Sequence, residues 1–402
     1  MKRRALLSLL PAAALPTWAT TPATNATNAT NATNATDALK RETVLTYARI
    51  VHANYTDCHA AARSLRSALA NLVAKPSEST LDAARKSWTA ARRPYGLSEV
   101  FRYYAGPIDD ADGPEPLLNA WPLDESWIEA VPGSPTPGII GNDKEFPSLS
   151  PQLIAELNQR DGEKNVACGW HAIEFLLWGQ DRSTNGPGSR PWTDFSTAPH
   201  ASRRCQYLLA CADILVLYLD DLVRQWSPGQ LGNYRAVFEE DTAGSLERIL
   251  MGIIFLSGTE LAGERLQVAF DTMEQEDEQS CFSDTTHLDL IANADAIRNA
   301  WSGQYSASPD PPISGKGLRD LASHLHPAIA TTLDKAITSL TERARAIPPP
   351  FDAAIRGSDD SPGRQAVFSL ITAAEDVAIH AKELASALGC RIPDIPPEDI
   401  EG

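Results

Sequence analysis

The sequence predicts an all-α fold of two helical-bundle domains, built from long up-and-down helices and long ordered loops. Three observations carry this prediction. Apolar residues recur every three or four positions over long stretches, as on one face of a helix. Glycine and proline cluster between these stretches rather than inside them. No run of alternating β-branched residues is long enough for a strand, so packed helices are the expected architecture.

The first half of the chain contains three predicted helices. Residues 40–74 lack glycine and proline and form a helix of about 35 residues at 1.5 Å per residue. A second helix begins near Ser79 and ends or bends at Pro94. Residues 105–150 are rich in glycine, proline and aspartate and are expected to form a long ordered loop. A third helix covers 166–178.

The second half follows a glycine- and proline-rich stretch at 180–199, which is the best domain boundary. We therefore expect an N-terminal helical domain over 39–195 and a C-terminal helical bundle over 196–395. One helical stretch is expected to break near Gly244 or Gly258. Gly179 and Gly389 are expected to cap the helices that they follow. The predicted helical stretches of this half are 200–226, 230–280, 288–302, 316–346 and 363–388.

The N-terminus has the pattern of an export signal. Basic residues come first, then a short apolar stretch, then small residues, so residues 1–23 are expected to be a signal peptide. Residues 24–38 contain four Asn-Ala-Thr units and are expected to be a flexible linker. The protein is then periplasmic in a bacterium. No later stretch is apolar enough for a transmembrane segment of the mature chain.

Charge and cysteine content narrow the classes of partner. The formal net charge of the 402 residues is −17, which disfavours binding to nucleic acid or anionic lipid and favours cations. Six cysteines are compatible with disulfides in an exported protein or with small buried thiols, and the sequence does not choose between these.

The sharpest motif for chemistry is a histidine and a glutamate one helical turn apart. His171 and Glu174 lie at positions i and i+3 of the predicted helix, so they share a face. An imidazole and a carboxylate so placed can bind one cation together, as Glu-x-x-His pairs do in di-iron bundles. The alternative is a histidine–glutamate hydrogen bond without a metal.

Longer segments resemble the imelysin family, in its branch of iron-regulated protein A. The motif CGWHAIEFLLWGQD resembles the GxHxxE motif of that family, and the resemblance covers residues 40–390. The other segments that carry it are ARRPYGLSEVFRYYAGPIDD (91–110), NAWPLDESW (119–127), GPGSRPWTDF (186–195), ELAGER (260–265), EDEQSCFSDTTHLD (276–289) and PFD (350–352).

This resemblance implies periplasmic or outer-envelope helical proteins of two bundle-like domains, associated with iron acquisition and once classed as metallopeptidases. The motif's histidine and glutamate correspond to His171 and Glu174. Two residues depart from the branch: Gln279 stands where a histidine is expected, and Thr285 where an asparagine is expected. We therefore do not expect the main site in the 276–289 segment.

A metal needs more than two ligands, and the resembling segments offer further oxygen donors. Glu99 and Asp124 are the predicted additional ligands; the alternative is a structural salt bridge, for example between Glu99 and Arg102. A helix-capping role for Ser283 or Asp284 is the alternative for the acidic segment. Second-choice ligands are Asp109, Asp110, Glu260, Glu264, Asp277, Glu278, Asp284, His287 and Asp289.

Three functions remain open. The first is a periplasmic metal-binding protein that takes part in iron binding or uptake. The expected metal is iron, with zinc as the alternative, and the expected partner is a redox or transport protein of the envelope. The second is a zinc metallopeptidase, although the HExxH motif is absent. The third is a non-catalytic scaffold that binds another envelope protein.

Overall fold

The computed structural model describes residues 24–183, 186–306 and 312–397, with side chains from residue 34 onward. The predicted signal peptide lies outside these residues. The all-α fold is confirmed, because the strands of the described chain are two residues each, Gln304–Tyr305 and Ile313–Ser314, paired antiparallel. Contacts divide the chain into a unit that ends at Ala38 and a compact unit from Leu39 to Gly402. The boundary near residue 195 stays a prediction.

The first half begins with two long helices, and short helices follow. The predicted ordered loop over 105–150 carries three helices of four or five residues. The α-helices are α1 (Thr24–Ala74), α2 (Glu78–Gly96), α3 (Glu115–Asn119), α4 (Glu125–Ile128), α5 (Gly138–Gly141), α6 (Pro151–Leu157) and α7 (Trp170–Trp178), with 3₁₀ turns at Glu99–Phe101 and Trp192–Phe195.

Two helix boundaries in this half differ from the sequence prediction. Helix α1 begins at Thr24 and includes the Asn-Ala-Thr tract, where we expected a flexible linker; each unit contains alanine, the strongest helix former. Helix α2 continues through Pro94. The Pro94 carbonyl accepts a hydrogen bond from Asn54 Nδ2 at 2.9 Å, which satisfies one acceptor at the helix end.

The second half contains the longer bundle helices and one π-helix. The helices are α8 (Ala201–Gln225), α9 (Tyr234–Glu240), α10 (Thr242–Phe255), the π-helix Leu256–Gln267, α11 (Val268–Thr272), a 3₁₀ turn at Gln275–Asp277, α12 (Thr286–Ser302), α13 (Leu318–Leu325), α14 (Pro327–Arg345), α15 (Phe351–Ile355) and α16 (Pro362–Leu388). None of the described helices combines the length and apolarity needed to cross a bilayer.

The helix breaks have local causes. Asp241 separates α9 from α10 and caps α10 by accepting the Gly244 N–H at 3.0 Å, so the break lies near Gly244 as predicted. The stretch 316–346 divides at Pro327, which starts α14 because a proline fits the first turn of a helix. The predicted cap at Gly389 is confirmed, with φ of 74°.

A buried ion pair connects the two halves of the chain. Glu99 Oε2 lies 2.6 Å from Arg265 Nη2 and 3.3 Å from Arg102 Nη1. Glu99 and Arg265 are 1% and 3% exposed. Burial alone would raise the pKa of Glu99, but the two arginines lower it below its ordinary value. The carboxylate is therefore ionised and neutralised inside the protein.

Neighbouring residues extend this pair into a network. Arg92 Nη2 lies 3.0 Å from Asp289 Oδ1, and both side chains are 4% exposed. Arg92 Nη1 donates to Asn119 Oδ1 at 2.7 Å, and Asn119 Nδ2 donates to Glu99 Oε1 at 3.2 Å. Arg265 Nη1 donates to Asn293 Oδ1 at 2.7 Å. Buried donors and acceptors are thus paired across α2, α3, the π-helix and α12.

We predict that Arg265→Ala destabilises the protein by about 3–5 kcal/mol, because it leaves a buried carboxylate without its nearest cation. Equilibrium unfolding in urea measures this loss. The matched control is Arg343→Ala, which removes an exposed arginine of α14 and should change the free energy of unfolding by less than about 0.5 kcal/mol. Equal effects of the two substitutions would contradict the role of the ion pair.

Candidate metal centre

Helix α7 carries the histidine–glutamate motif and is buried along its whole length. All nine residues from Trp170 to Trp178 are buried, as expected for a helix that is apolar on every side. The glycine of the motif has a steric reason: Gly169 has φ of 94°, and a Cβ there would lie 2.6 Å from the Leu118 carbonyl oxygen. The helix therefore enters against α3 without a side chain at that point.

His171 and Glu174 are in direct contact, as their spacing predicted. His171 Nδ1 lies 2.9 Å from Glu174 Oε2, and neither side chain is exposed. Glu174 Oε1 accepts hydrogen bonds from the backbone N–H and the hydroxyl of Ser283, at 2.9 and 2.7 Å. His171 Nε2 is buried and has no hydrogen-bond partner among the described residues. This nitrogen would have to be deprotonated to bind a metal, since Nδ1 is already engaged by Glu174.

The electrostatics of this contact favour the neutral forms. Burial raises the pKa of Glu174 to about 8, against the opposing effect of its hydrogen bonds from Ser283. Burial, with Arg92 as the next cause, holds the pKa of His171 well below its ordinary range. At pH 7 the contact is therefore a hydrogen bond between a carboxylic acid and a neutral imidazole. The geometry of an ion pair is present without the charges.

Three buried carboxyl groups lie beside this pair. Oxygen atoms of Glu278, Asp284 and Asp352 all lie within 4.8 Å of one another. Both oxygens of Glu278, Oδ1 of Asp284 and Oδ1 of Asp352 have no hydrogen-bond partner among the described residues. Within the described chain, a cation contacts this group at one place, where Arg356 Nη1 lies 3.0 Å from Asp352 Oδ2. We call these three residues the acidic triad.

The acidic triad is electrostatically unfavourable as it stands. Burial raises the pKa of Glu278 to about 9, and the nearby Asp284 and Asp352 contribute. Burial also raises the pKa of Asp284 to about 7, with Asp181 and Asp352 as neighbouring charges. Carboxyl groups placed together without enough cations must hold protons or bind a metal. The oxygen donors and the unpartnered atoms fit a metal ion.

One loop joins the acidic triad to the histidine–glutamate pair. Ser283, which donates to Glu174, is adjacent in sequence to Asp284, and Glu174 is among the charges that raise the pKa of Glu278. The residue Asp284 has φ of 56°, an uncommon conformation for a side chain other than glycine. We call the triad and the histidine–glutamate pair together the candidate metal centre; the donor atoms within 4.8 Å of one another are those of the three carboxyl groups.

Two of the predicted ligands, Glu99 and Asp124, have other hydrogen-bond or ionic partners. Glu99 belongs to the buried ion-pair network, and its contact with Arg102 is the salt bridge weighed as the alternative. Asp124 is exposed and caps α4 by accepting the Ser126 N–H at 2.9 Å. Neither carboxylate contacts His171 among the described residues, although the Glu99 charge acts on the pKa of His171. Their role as ligands stays a prediction without support from these contacts.

Several second-choice residues have structural partners. Asp109 accepts hydrogen bonds from the backbone N–H groups of Tyr103 and Gly106. Glu260 pairs with Arg265, and Asp289 pairs with Arg92. Asp110 accepts a hydrogen bond from the Asp112 N–H. Glu264 and Asp277 form no ion pair with a described residue. His287 is half-buried, and its Nδ1 has no hydrogen-bond partner among the described residues.

The predicted capping role of Ser283 or Asp284 is wrong. The residue before α12 is Thr285, and it makes no side-chain capping hydrogen bond. Ser283 donates to Glu174 instead, and Asp284 joins the acidic triad. We also expected the main site outside the 276–289 segment because of Gln279, yet two members of the triad come from this segment.

Sequence reasoning missed two residues of this region. Asp352 lies in the resembling PFD segment but is not one of the predicted ligands. Asp181 is not among them either, although it lies close enough to affect the pKa of Asp284. No spacing in the sequence connects Asp352 to Glu278, because they lie 74 positions apart and only the fold brings α15 to this loop. The resembling segments were the available signal, since both residues lie in them.

The sequence profile of the imelysin family matches residues 51–379. This chain belongs to the imelysin family. A crystal structure of an iron-regulated protein A precursor from Parabacteroides distasonis has 19% identity and a TM-score of 0.67, covering 87% of this chain and 95% of that one. An imelysin-like protein from Psychrobacter arcticus has 14% identity and a TM-score of 0.61, covering 88% and 97%. These similarities show a shared fold. No protein of curated function matches significantly.

We predict that the metal-free protein loses stability as pH rises. Glu278, Glu174 and Asp284 hold protons more tightly in the folded chain than in the unfolded one, where their pKa is about 4. The stability that these three groups contribute is therefore fully present below about pH 4.5. It is lost progressively as the pH rises to about 9. Thermal unfolding in chelator at pH 6–9 measures this slope.

The comparison that isolates this effect uses two neighbouring glutamates. Glu278→Gln should flatten the slope between pH 7 and 9, since the neutral amide replaces the group with the highest of these pKa values. Glu276→Gln, at an exposed position, should leave it unchanged. A wild-type midpoint that rises from pH 7 to 9 in chelator would refute the assignment.

Proposed function

We propose that this member of the imelysin family binds a metal ion, iron before other metals, at the candidate metal centre. The observation that carries the proposal is the Glu278 side chain. It is fully buried, both carboxylate oxygens lack a hydrogen-bond partner among the described residues, and two further carboxyl groups lie beside it. A cation would replace the protons that these groups otherwise hold.

The donor set supports a hard metal ion. Carboxylate oxygens from Glu278, Asp284 and Asp352 suit iron, manganese or zinc and do not suit copper(I). We propose His171 as a further donor, because its partner Glu174 is hydrogen-bonded to Ser283 in the loop that carries Asp284. Glu174 fixes the orientation of the imidazole, as carboxylates commonly do behind metal-binding histidines. The Parabacteroides relative is named as an iron-regulated protein, which supports iron for this chain.

The proposed role in the cell is iron binding or uptake in the bacterial periplasm. The basic, apolar and small residues at the N-terminus support export, and the relative from Parabacteroides is named as a precursor. A periplasmic iron-binding protein needs a partner that delivers or receives the metal, such as an envelope redox or transport protein. That partner is inferred from the role alone.

We predict that the protein freed of metal binds Fe²⁺ under anaerobic conditions and releases protons on binding. Calorimetry in buffers of different ionisation enthalpy measures the affinity and the proton count, with Zn²⁺ and Mn²⁺ as comparisons. Glu278→Gln, Asp352→Asn and His171→Ala should each weaken binding by about tenfold to a hundredfold, because each removes a ligand or its support. Binding should also weaken as pH falls from 8 to 6.

The chain provides a matched control for the histidine. His380 and Glu383 have the same i, i+3 spacing and the same 2.9 Å contact, but lie on the exposed face of α16. His380→Ala should leave iron binding unchanged. The proposed ligand set would be overturned by the opposite pattern. In that pattern Glu99→Gln and Asp124→Asn lose iron binding, while Glu278→Gln and Asp352→Asn bind iron as fully as the wild type. Full binding in all of these variants would overturn the centre itself.

We predict that the mature protein begins near residues 20–24 and is recovered from the periplasm. Intact-mass measurement of the protein from the periplasmic fraction, expressed with its natural N-terminus, checks both points. Replacing Arg3 and Arg4 together by glutamate should leave the protein uncleaved in the cytoplasm, because an export signal needs its basic end. Wild-type protein that keeps Met1 in the cytoplasm would contradict export.

A further inference from the structure

A cavity of about 620 Å³ lies between α1, α2 and the beginning of α12. Small-molecule sites in proteins have this size and are lined mainly by apolar groups with a few polar ones. The apolar part of this cavity consists of alanines from α1 and α2 and of Leu288 and Ile291 from α12. Leu288 is 42% exposed at its edge.

Two opposite charges at this cavity are left without an ionic partner. Asp57 accepts a hydrogen bond from the Tyr305 hydroxyl at 2.7 Å, through Oδ2, and forms no ion pair with a described residue. Arg93 is exposed, and its guanidinium contacts no carboxylate of the described residues. The other charges of the wall, Arg92 and Asp289, neutralise each other. A ligand therefore meets one free carboxylate and one free guanidinium.

From this arrangement we infer that the cavity binds a zwitterion with an apolar body, of the class formed by aliphatic amino acids and short peptides of them. The ammonium group of such a ligand pairs with Asp57, and its carboxylate pairs with Arg93. A simple anion would meet the Asp57 carboxylate, and a simple cation would meet Arg93, so neither is complementary to both. Hydrogen bonds to ionised groups are the strong ones in such a site.

The apolar lining explains why the body of the ligand is aliphatic. Ala60, Ala61 and Ala90 leave room where larger side chains would fill the space between the helices. Leu288 and Ile291 provide an apolar surface whose removal from water favours binding. The volume admits more than one amino-acid residue, so a free amino acid and a dipeptide are both tested.

The test uses metal-free protein, so it is independent of the candidate metal centre. Calorimetry or ligand-induced thermal shift is measured with L-leucine and with L-leucyl-L-leucine. Two analogues each lack one charge: leucinamide lacks the carboxylate, and 4-methylpentanoate lacks the ammonium group. At least one zwitterion should bind with a Kd below about 1 mM, and each analogue should bind about tenfold or more weakly than leucine.

Variants assign each charge to its partner. Arg93→Gln should weaken zwitterion binding about tenfold but should not weaken the binding of leucinamide, since leucinamide has no carboxylate to pair with Arg93. Asp57→Asn should show the same pattern with 4-methylpentanoate. Ala90→Phe should abolish binding by filling the cavity from an exposed position. The control Arg63→Gln removes an exposed arginine of α1 outside the cavity and should change nothing.

Three results would overturn the inference. The first is absence of binding by both zwitterions at millimolar concentration. The second is equal affinity of leucine and the analogues, which would mean that the two charges do not recognise the ligand. The third is full binding in Ala90→Phe, which would place the ligand outside this cavity. Tighter binding of the dipeptide than of leucine identifies a peptide as the ligand, and the reverse identifies a free amino acid.

Discussion

The buried Glu99–Arg265 ion pair is the interaction on which the arrangement of the two halves depends. Both groups are removed from water, so each must be neutralised inside the protein, and losing one partner costs far more than a surface salt bridge. The network that surrounds them continues through Arg92 to Asp289. The Arg92–Asp289 pair fixes α12 against α2. The loop before α12 carries Ser283, which donates to Glu174. The ion pair therefore positions the candidate metal centre without belonging to it.

Acidic residues in this interior fall into two groups. Glu99 and Asp289 each have an arginine at 3.0 Å or less, whereas among the described residues the triad around Glu278 has one contact with a cation, on Asp352. A fold selected for stability alone would gain from replacing a buried, unpaired carboxyl group by an amide or an apolar side chain. Residues whose pKa is strongly raised by burial and by neighbouring charges concentrate at functional sites. The difference between these two groups is the physical argument for a cation at the second.

Helical periodicity and the i, i+3 rule predicted the helices and the contact between His171 and Glu174, because both depend on residues within one or two turns. The triad depends on two segments that are distant in sequence, the loop before α12 and α15, and no local pattern contains that information. Glu99 and Glu278 are both buried glutamates in segments that resemble the family. What distinguishes them is whether an arginine from elsewhere reaches the carboxylate, and only the fold decides that. The extension of α2 through Pro94 likewise depends on Asn54, which comes from α1.

The start of α12 is shared by the candidate metal centre and the cavity. Thr285 lines the cavity, and its hydroxyl lies 2.7 Å from that of Ser283, which donates to Glu174. Asp289 also lines the cavity and pairs with Arg92, the charge that most lowers the pKa of His171 after burial. A ligand that shifts Thr285 or Asp289 therefore changes the hydrogen bonds and charges that act on the histidine–glutamate pair. Linkage is reciprocal, so a metal that reorders Ser283 must alter affinity in the cavity by the same factor. The geometry thus joins two sites through one turn of helix, and the sign of their coupling depends on whether both ligands favour the same position of that turn.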